Sequence, residues 1–273
     1  MSNIAGEHLF IPEASLAPFV LHELSSRDPA YRELRAKHFL IDKKTKAATS
    51  LLPIKIRTRY SRLPDFTRLH MFVVSLRCEH SCPYCQVSRQ SDDKLAFDMS
   101  EETALKSLRL ALSSPSNEIK IEFQGGESLL NFELIKFIVQ QAKAMAGDKR
   151  VSFVIATNLA VITDEILAFC KEHAIDISTS LDGPEDLHNA NRPRPGRDSY
   201  QRTIEGIERV RNVLGVDHVS ALMTTTKASL GRVRDIIDEY LANGFHNIFL
   251  RPLSPYGFAI RTRAFSGYDS ERW

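Results

Sequence analysis

Three of the chain's four cysteines fall in one short run, Cys78-Glu-His-Ser-Cys82-Pro-Tyr-Cys85. This C-x3-C-x2-C spacing presents three thiolates from a single loop. Three thiolates hold three irons of a cubane [4Fe–4S] cluster and leave the fourth iron open to a small-molecule ligand. An open iron is a place for chemistry, whereas a cluster held by four cysteines mainly carries electrons. Zinc is the other metal the loop suggests, but it wants four ligands in tetrahedral geometry. His80 is the candidate fourth ligand, although so short a loop converges four ligands poorly. On the loop alone both metals stay open. Cys170, beside the apolar run Ile166-Leu167-Ala168-Phe169, reads as a buried core thiol.

The elements that must position this loop follow from hydrophobic patterning. From residue 69 onward, apolar strand-like runs alternate with amphipathic helical stretches, the pattern of a parallel α/β sheet or barrel. Strands are expected over 69–75, 119–124, 151–157, 176–181, 219–225 and 247–250. Helices are expected over 100–112, 132–146, 163–173, 199–214 and 231–243. Ser100 and Thr163 read as N-caps, each followed by two carboxylates that favour the helix dipole. Gly244 reads as a C-cap. Six strands are fewer than the eight of a closed TIM barrel, which points to a partial (β/α)6 barrel.

Residues 1–66 read as a small α+β extension. A short strand is expected from His8 to Ile11, and a helix from Asp28-Pro29 to about Lys37. Lys43, Lys44, Lys46, Lys55, Arg57, Arg59 and Arg62 then form a basic connector, read as a solvated linker or as a contact strip for an acidic peptide. The chain has 273 residues, 43% of them hydrophobic, enough for one α/β core and a small additional domain. Its formal charge of +2 gives no basis for nucleic acid or an acidic membrane as partner. The N-terminus lacks the basic-then-apolar order of a secretory signal, and no apolar run is long enough to span a bilayer. Clustered reduced cysteines suit a reducing cytoplasm, so a soluble cytoplasmic protein is expected.

Polar and glycine residues gather at the C-terminal ends of the expected strands. Gly125-Gly126-Glu127 follows the second, Thr157-Asn158 the third, and Ser180-Leu181-Asp182-Gly183-Pro184 ends the fourth. Arg192 lies on the loop beyond, and Arg251-Pro252 follows the sixth. Parallel barrels place their active sites at this face, where the βα loops converge. Two glycines let backbone approach a ligand closely, and Glu127 can accept hydrogen bonds from an ammonium group. Asp182-Gly183-Pro184 reads as a turn, and His188 is assigned no role.

The segments CPYCQVSRQ, IEFQGGESLLNF, FVIATNLAVITDEILAFC, STSLDGPEDLHNANRPRPG, SALMTTT and FLRPLSPYGFA resemble the radical S-adenosylmethionine (SAM) maturase of the His-Xaa-Ser peptide systems, the B component. The cysteine loop and Gly-Gly-Glu carry the superfamily resemblance; the remaining segments point to the subgroup. The resemblance implies a radical SAM core over 67–260, preceded by the extension over 1–66 and followed by a tail over 261–273; the extension is read either as a peptide-recognition module with its basic connector or as a cap on the barrel. It implies a [4Fe–4S] cluster and SAM, cleaved reductively to a 5′-deoxyadenosyl radical that takes hydrogen from a ribosomally made precursor peptide. A companion radical SAM maturase and a flavodoxin- or ferredoxin-like electron donor are implied as partners. Cys78, Cys82 and Cys85 match the cluster ligands, and Gly125, Gly126 and Glu127 the site of the SAM amino group. By their own chemistry Ser180 and Arg192 are natural partners for the SAM carboxylate, since arginine supplies a planar fork of donors, and Asn158 reads as a ribose contact or a loop cap.

Two departures accompany the match. Leu159 stands where many peptide-modifying relatives have glycine after Thr-Asn. Such enzymes also continue into a cysteine-rich region with auxiliary clusters, whereas this chain ends at Trp273 without a further cysteine, as a truncated or split form would. A formylglycine-forming enzyme of the sulfatase-maturating type shares the GGE and SLDGP segments and is the alternative enzyme. A truncated, non-catalytic peptide-binding adaptor is the alternative outside enzymes.

Overall fold

A computed structural model of the chain describes residues 1–43, 45–62, 67–87, 89–254, 256–262 and 267–269. The chain divides into two compact units, Met1–Phe66 and Thr67–Trp273.

The larger unit is built on one six-stranded sheet. Its strands are β1 (Leu69–Ser75), β2 (Glu118–Gly125), β3 (Arg150–Ala156), β4 (Ile175–Ser180), β5 (Val219–Thr224) and β6 (Phe249–Arg251). They lie in sequence order and every neighbouring pair is parallel. The sheet is an unclosed partial barrel. Between the strands run α4 (Lys94–Phe97), α5 (Glu101–Leu112), α6 (Phe132–Met145), α7 (Asp164–His173), α8 (Glu185–Asn191), α9 (Ser199–Leu214) and α10 (Val233–Ala242). The short α11 (Phe258–Arg261) follows β6.

Strand alternation sorts the side chains onto two faces. Phe72, Val74, Ile119, Ile121, Phe123, Phe153, Ile155, Ile175, Ile177, Ala221 and Met223 are buried in one core with the apolar stripes of α5, α6, α7, α9 and α10. The alternate positions include Glu118, Lys120, Ser178, Ser180, Leu222 and Arg251, and these stay exposed or half-buried. The expected caps form: Ser100 Oγ accepts the Thr103 N–H at 3.2 Å, and Thr163 Oγ1 the Ile166 N–H at 3.3 Å. Gly244 follows α10 at φ +70°.

Some elements differ from expectation. β6 covers Phe249–Arg251 and not 247–250. α8 forms where the sequence suggested only a turn and loop; Pro184 at its N-cap and Glu185 and Asp186 in its first turn favour a start there. α4 is nucleated by Asp93, whose carboxylate accepts from the N–H groups of Leu95 and Ala96.

The smaller unit holds α1 (Glu13–Val20), α2 (Tyr31–Ala36) and α3 (Lys46–Arg59). Leu9, Ala30 and Leu34 make its small core, with Ile11, Phe19, Leu24, Phe39 and Leu40 around them. In place of the expected strand at His8–Ile11 there is a single antiparallel bridge, Ser2 to His8. The expected Asp28-Pro29 helix begins at Tyr31, because the Asp28 carboxylate is taken by the Ala30 N–H and the Ser15 hydroxyl. Most of the expected basic connector is helix α3, in which Lys55 pairs with Glu7 at 2.5 Å. Lys44, and residues 263–266 and 270–273 of the expected tail, lie outside the described residues.

The Leu159 departure has a packing cause. Leu159 sits at φ +66°, where glycine is favoured, yet it is fully buried. A Cβ on Gly206 of α9 would collide with the Leu159 side chain, so the missing side chain at 206 makes room for the one at 159. Leu159→Gly relieves a positive-φ cost of about 1–2 kcal/mol but removes a buried leucine worth about 2–5 kcal/mol. The variant is expected to lose about 1–3 kcal/mol net, read from urea unfolding midpoints. A gain in stability would mean that backbone strain outweighs packing at this position.

Candidate active site

An open cavity of about 950 Å³, its solvent-filled mouth included, lies at the C-terminal ends of the strands. Its walls draw on the half of β2 to β6 that is not packed against helices: Gln124, Ala156, Ser178, Ser180, Leu222, Thr224 and Arg251. Cys78, Cys82 and Cys85 line the same cavity, as do Gly125, Gly126, Asn158 and Arg192. The sequence-expected site residues therefore converge on one space, with Glu127 as the exception.

The cysteine loop is held at both ends. At its start, the Gly126 N–H donates to Ser75 O at 2.8 Å and the Glu127 N–H to Arg77 O at 2.7 Å. A Cβ at 125 would collide with Ser75 O, and one at 126 with Arg77 O. The two glycines are thus required by the backbone leaving β1. The Arg77 side chain, 3% exposed, forks onto Asp98 at 2.8 Å for both bonds and also reaches Asp92 and Leu130 O. At the loop's end, Phe258 N–H donates to Cys85 O at 2.9 Å, and the Thr262 hydroxyl bonds Pro83 O. Gly257 makes this possible at φ +60°, against the carbonyls of Cys85 and Gln86.

The three thiols are half-buried and free. Burial pushes the Cys82 thiol up to about 11. Burial, with the Glu79 and Glu127 carboxylates, pushes Cys78 up as well. A metal must displace those protons to bind, which ties its affinity to pH. Cys78, Glu79 and His80 form a compact group of ligand types among the described residues. Both His80 nitrogens are occupied, however: Nδ1 lies 3.1 Å from Glu79 Oε1, and Nε2 lies 2.8 Å from Ser199 Oγ. Cys170 is fully buried in α7, within the hydrophobic core. The donor set is three thiols without a fourth, which fits a cubane cluster with one open iron and not tetrahedral zinc.

The Glu127 carboxylate is fully buried and turned to protein donors. Oε1 accepts the Thr157 hydroxyl at 2.6 Å and the Leu129 N–H at 3.0 Å; Oε2 accepts the Asn158 N–H at 2.8 Å. Burial and the Glu79 charge raise its pKa to about 7. Asn158 Nδ2 in turn donates to Glu79 Oε1 at 2.7 Å. On the opposite wall, Arg192 Nη1 donates to the Tyr84 hydroxyl at 2.7 Å, and that hydroxyl donates to Asp182 Oδ2 at 2.6 Å. Against the cost of burial, Tyr84, Cys82 and Asp182 hold the guanidinium protonated. Arg192 Nε is buried without an acceptor among the described residues, on a side chain that lines the cavity. Sequence reading missed Asp182, Tyr84, His188 and Ser199 as parts of the site's framework. Their only linear signal was the SLDGP turn and the aromatic residue before Cys85.

A profile of the Radical SAM superfamily matches residues 72–249. An uncharacterized protein of Methanothermobacter thermautotrophicus is 30% identical over 205 residues, covering 74% of this chain and 71% of that protein. The serine-type anaerobic sulfatase-maturating enzyme of Klebsiella aerogenes is 26% identical over 189 residues, 67% of this chain and 46% of its own length. Among solved structures, anSMEcpe with bound AdoMet and Kp18Cys peptide superposes with a TM-score of 0.60 at 19% identity, covering 68% of this chain and 51% of that one. Streptococcus suis SuiB bound to the precursor peptide SuiA gives 0.53 at 14% identity, covering 93% and 60%. The chain spans about half to three-fifths of the length of these two structures. No helix among the described residues is long and apolar enough to cross a membrane. The superfamily uses a [4Fe–4S] cluster and SAM, the pair of cofactors that a three-thiol loop beside an arginine-lined cavity can accept. On the extent of the profile match and the archaeal relative, the chain belongs to the radical SAM superfamily.

Proposed function

We propose that this protein is a radical SAM enzyme acting on a ribosomally made precursor peptide of the His-Xaa-Ser type. The observation that carries the reading is the convergence of Cys78, Cys82, Cys85, Gly125, Gly126, Ser180 and Arg192 on one cavity. Cys78, Cys82 and Cys85 would hold the cluster. When bound, the reduced cluster would supply the one electron for breaking the S–C5′ bond of SAM, giving methionine and the 5′-deoxyadenosyl group that would abstract hydrogen from the peptide. The chain's own residues bind and orient. Arg192 and Ser180 face the SAM carboxylate, and the Gly125-Gly126 backbone faces its amino group. Glu127 serves that contact from behind by holding the Thr157-Asn158 wall, and Asn158 lies on the ribose side. A flavodoxin- or ferredoxin-like donor and a companion maturase complete the proposal, with the cytoplasm as its setting.

Peptide as substrate class draws support from relatives. SuiB is solved with its precursor peptide, and the likeness to it extends over 93% of this chain. We assign precursor recognition to residues 1–66, where exposed Arg57 and Arg59 on α3 lie beside exposed Leu51 and Ile54. A sulfatase-maturating activity is the second reading, favoured by the Klebsiella relative's coverage of 67% of the chain. Anaerobically reconstituted protein under dithionite is expected to release 5′-deoxyadenosine from SAM. Product analysis with a His-Xaa-Ser precursor and with a sulfatase-type serine or cysteine peptide separates the two readings. Absence of SAM cleavage would leave a non-catalytic adaptor.

Three outcomes are expected of variants. Triple alanine replacement of Cys78, Cys82 and Cys85 abolishes iron uptake, whereas Cys170→Ala keeps about four irons per chain; a brown, iron-loaded triple variant would overturn the ligand assignment. Glu127→Ala keeps the iron but weakens SAM binding about ten- to a hundredfold in calorimetry, since a charge-assisted hydrogen-bond hub is lost. An unchanged dissociation constant would mean that the Thr157-Asn158 wall held by Glu127 plays no part in SAM binding. Deleting residues 1–60 abolishes binding of the precursor peptide while uncoupled SAM cleavage stays measurable. Undiminished peptide affinity in the deletion would end the recognition role, and loss of a folded, cluster-bearing barrel would assign residues 1–66 to fold support.

A further inference from the structure

Asp182 was read from sequence as part of a turn, yet its side chain is fully buried and ties together three elements around the cavity. Its Oδ2 accepts the Tyr84 hydroxyl, and its Oδ1 the Thr224 N–H at the end of β5, at 3.3 Å. The Tyr84 oxygen then accepts from Arg192 Nη1. The order of donors is therefore one-way, from guanidinium to phenol to carboxylate. A phenol whose O–H is directed at Asp182 turns its lone pairs to Arg192. With Nη1 so engaged, Nε remains buried and unpartnered, on a side chain that lines the cavity. A guanidinium pinned at one nitrogen presents the rest of its fork in a fixed plane, the geometry that bidentate carboxylate recognition needs.

The backbone of Asp182 is held separately. Its N–H donates to His188 Nδ1 at 3.2 Å, which assigns the His188 proton to Nε2. That N–H lies 3.1 Å from Ser199 Oγ, which in turn contacts His80 Nε2 at 2.8 Å. His80 and Tyr84 bracket Cys82 in the loop, so both flanks of that thiol are referred to Asp182. Because the backbone tether does not use the carboxylate, changing the carboxylate alone leaves the tether in place.

We infer that Asp182, acting through the Tyr84 hydroxyl, is a positioning residue that aims Arg192 at the carboxylate of SAM. The inference rests on the assignment of Arg192 to that carboxylate. It gives the aromatic residue of the cysteine loop a polar role specific to tyrosine, and the aspartate after β4 a role in co-substrate discrimination.

The test uses the anaerobically reconstituted 273-residue chain with two probes, SAM and decarboxylated SAM, which lacks the carboxylate. Dissociation constants are measured for wild type, Arg192→Ala, Tyr84→Phe and Asp182→Asn, with iron content and the electron paramagnetic resonance spectrum of the reduced cluster recorded for each. Arg192→Ala is expected to weaken SAM and leave decarboxylated SAM unchanged. Tyr84→Phe and Asp182→Asn are expected to follow the same pattern, losing about tenfold for SAM alone with full iron content. They are also expected to reduce the spectral change that SAM causes in the cluster. If Arg192→Ala discriminates but neither Tyr84→Phe nor Asp182→Asn does, the positioning role is overturned while the Arg192 assignment stands. Equal weakening of both probes by Tyr84→Phe and Asp182→Asn would mark general damage to the site and also overturn it. If Arg192→Ala fails to discriminate, the carboxylate assignment falls and the inference with it. Should Tyr84→Phe fail to take up iron, Asp182→Asn decides, since it retains both the phenol and the backbone tether.

Discussion

The site depends on a contact made without side chains. The carbonyls of Ser75 and Arg77 occupy the space that side chains at 125 and 126 would need, and each accepts an N–H from the segment after β2. That contact fixes where the chain leaves β1, and so where Cys78 begins its loop. It also delivers Glu127 to the point where its two oxygens can gather the Thr157 hydroxyl and the Asn158 N–H from the end of β3. Asn158 then reaches back to Glu79 inside the cysteine loop. Three strand ends are locked in a circuit, and each of these buried donors would cost about 1–3 kcal/mol if left unpaired.

An unclosed sheet changes what strand alternation is for. In a closed barrel the inward-pointing residues fill the interior with branched apolar side chains. Here the helix-facing set carries the core, and the other set is free to be polar. Gln124, Ser178, Ser180, Thr224 and Arg251 can therefore stand on four of the six strands as the wall of an accessible cavity. The stability of the fold and the chemistry of the site are written on opposite parities of the same strands.

Much of this could be read from the chain. Strand positions followed from apolar runs, and the grouping of three thiols in one loop from cysteine spacing, because both signals are local. Contacts between distant residues were not legible. The glycines at 125 and 126 were read as room for a ligand, when their neighbours are backbone atoms some fifty residues earlier in the sequence. Leu159 looked like a departure from pattern until Gly206 explained it. Helix α3 was hidden because its lysines and arginines resemble a solvated linker and Pro53 sits within it. Asp182 and His188 gave no linear sign of their burial, since a turn and a framework share the same letters.

The brace on the cysteine loop bears on how the protein is made. The Thr262 hydroxyl that holds Pro83 O is 179 residues further along the chain, and the N–H that holds Cys85 O lies just before it. A ribosome therefore makes all six strands of the sheet before the loop acquires these supports. During that interval the three thiols are synthesised but not yet set, and contacts of such sequence separation are slow to close. Metal delivered early would meet a floppy loop open to the wrong ion or to oxidation. Cluster insertion is thus best timed after the segment from Phe258 to Thr262 has been made and has closed on the loop.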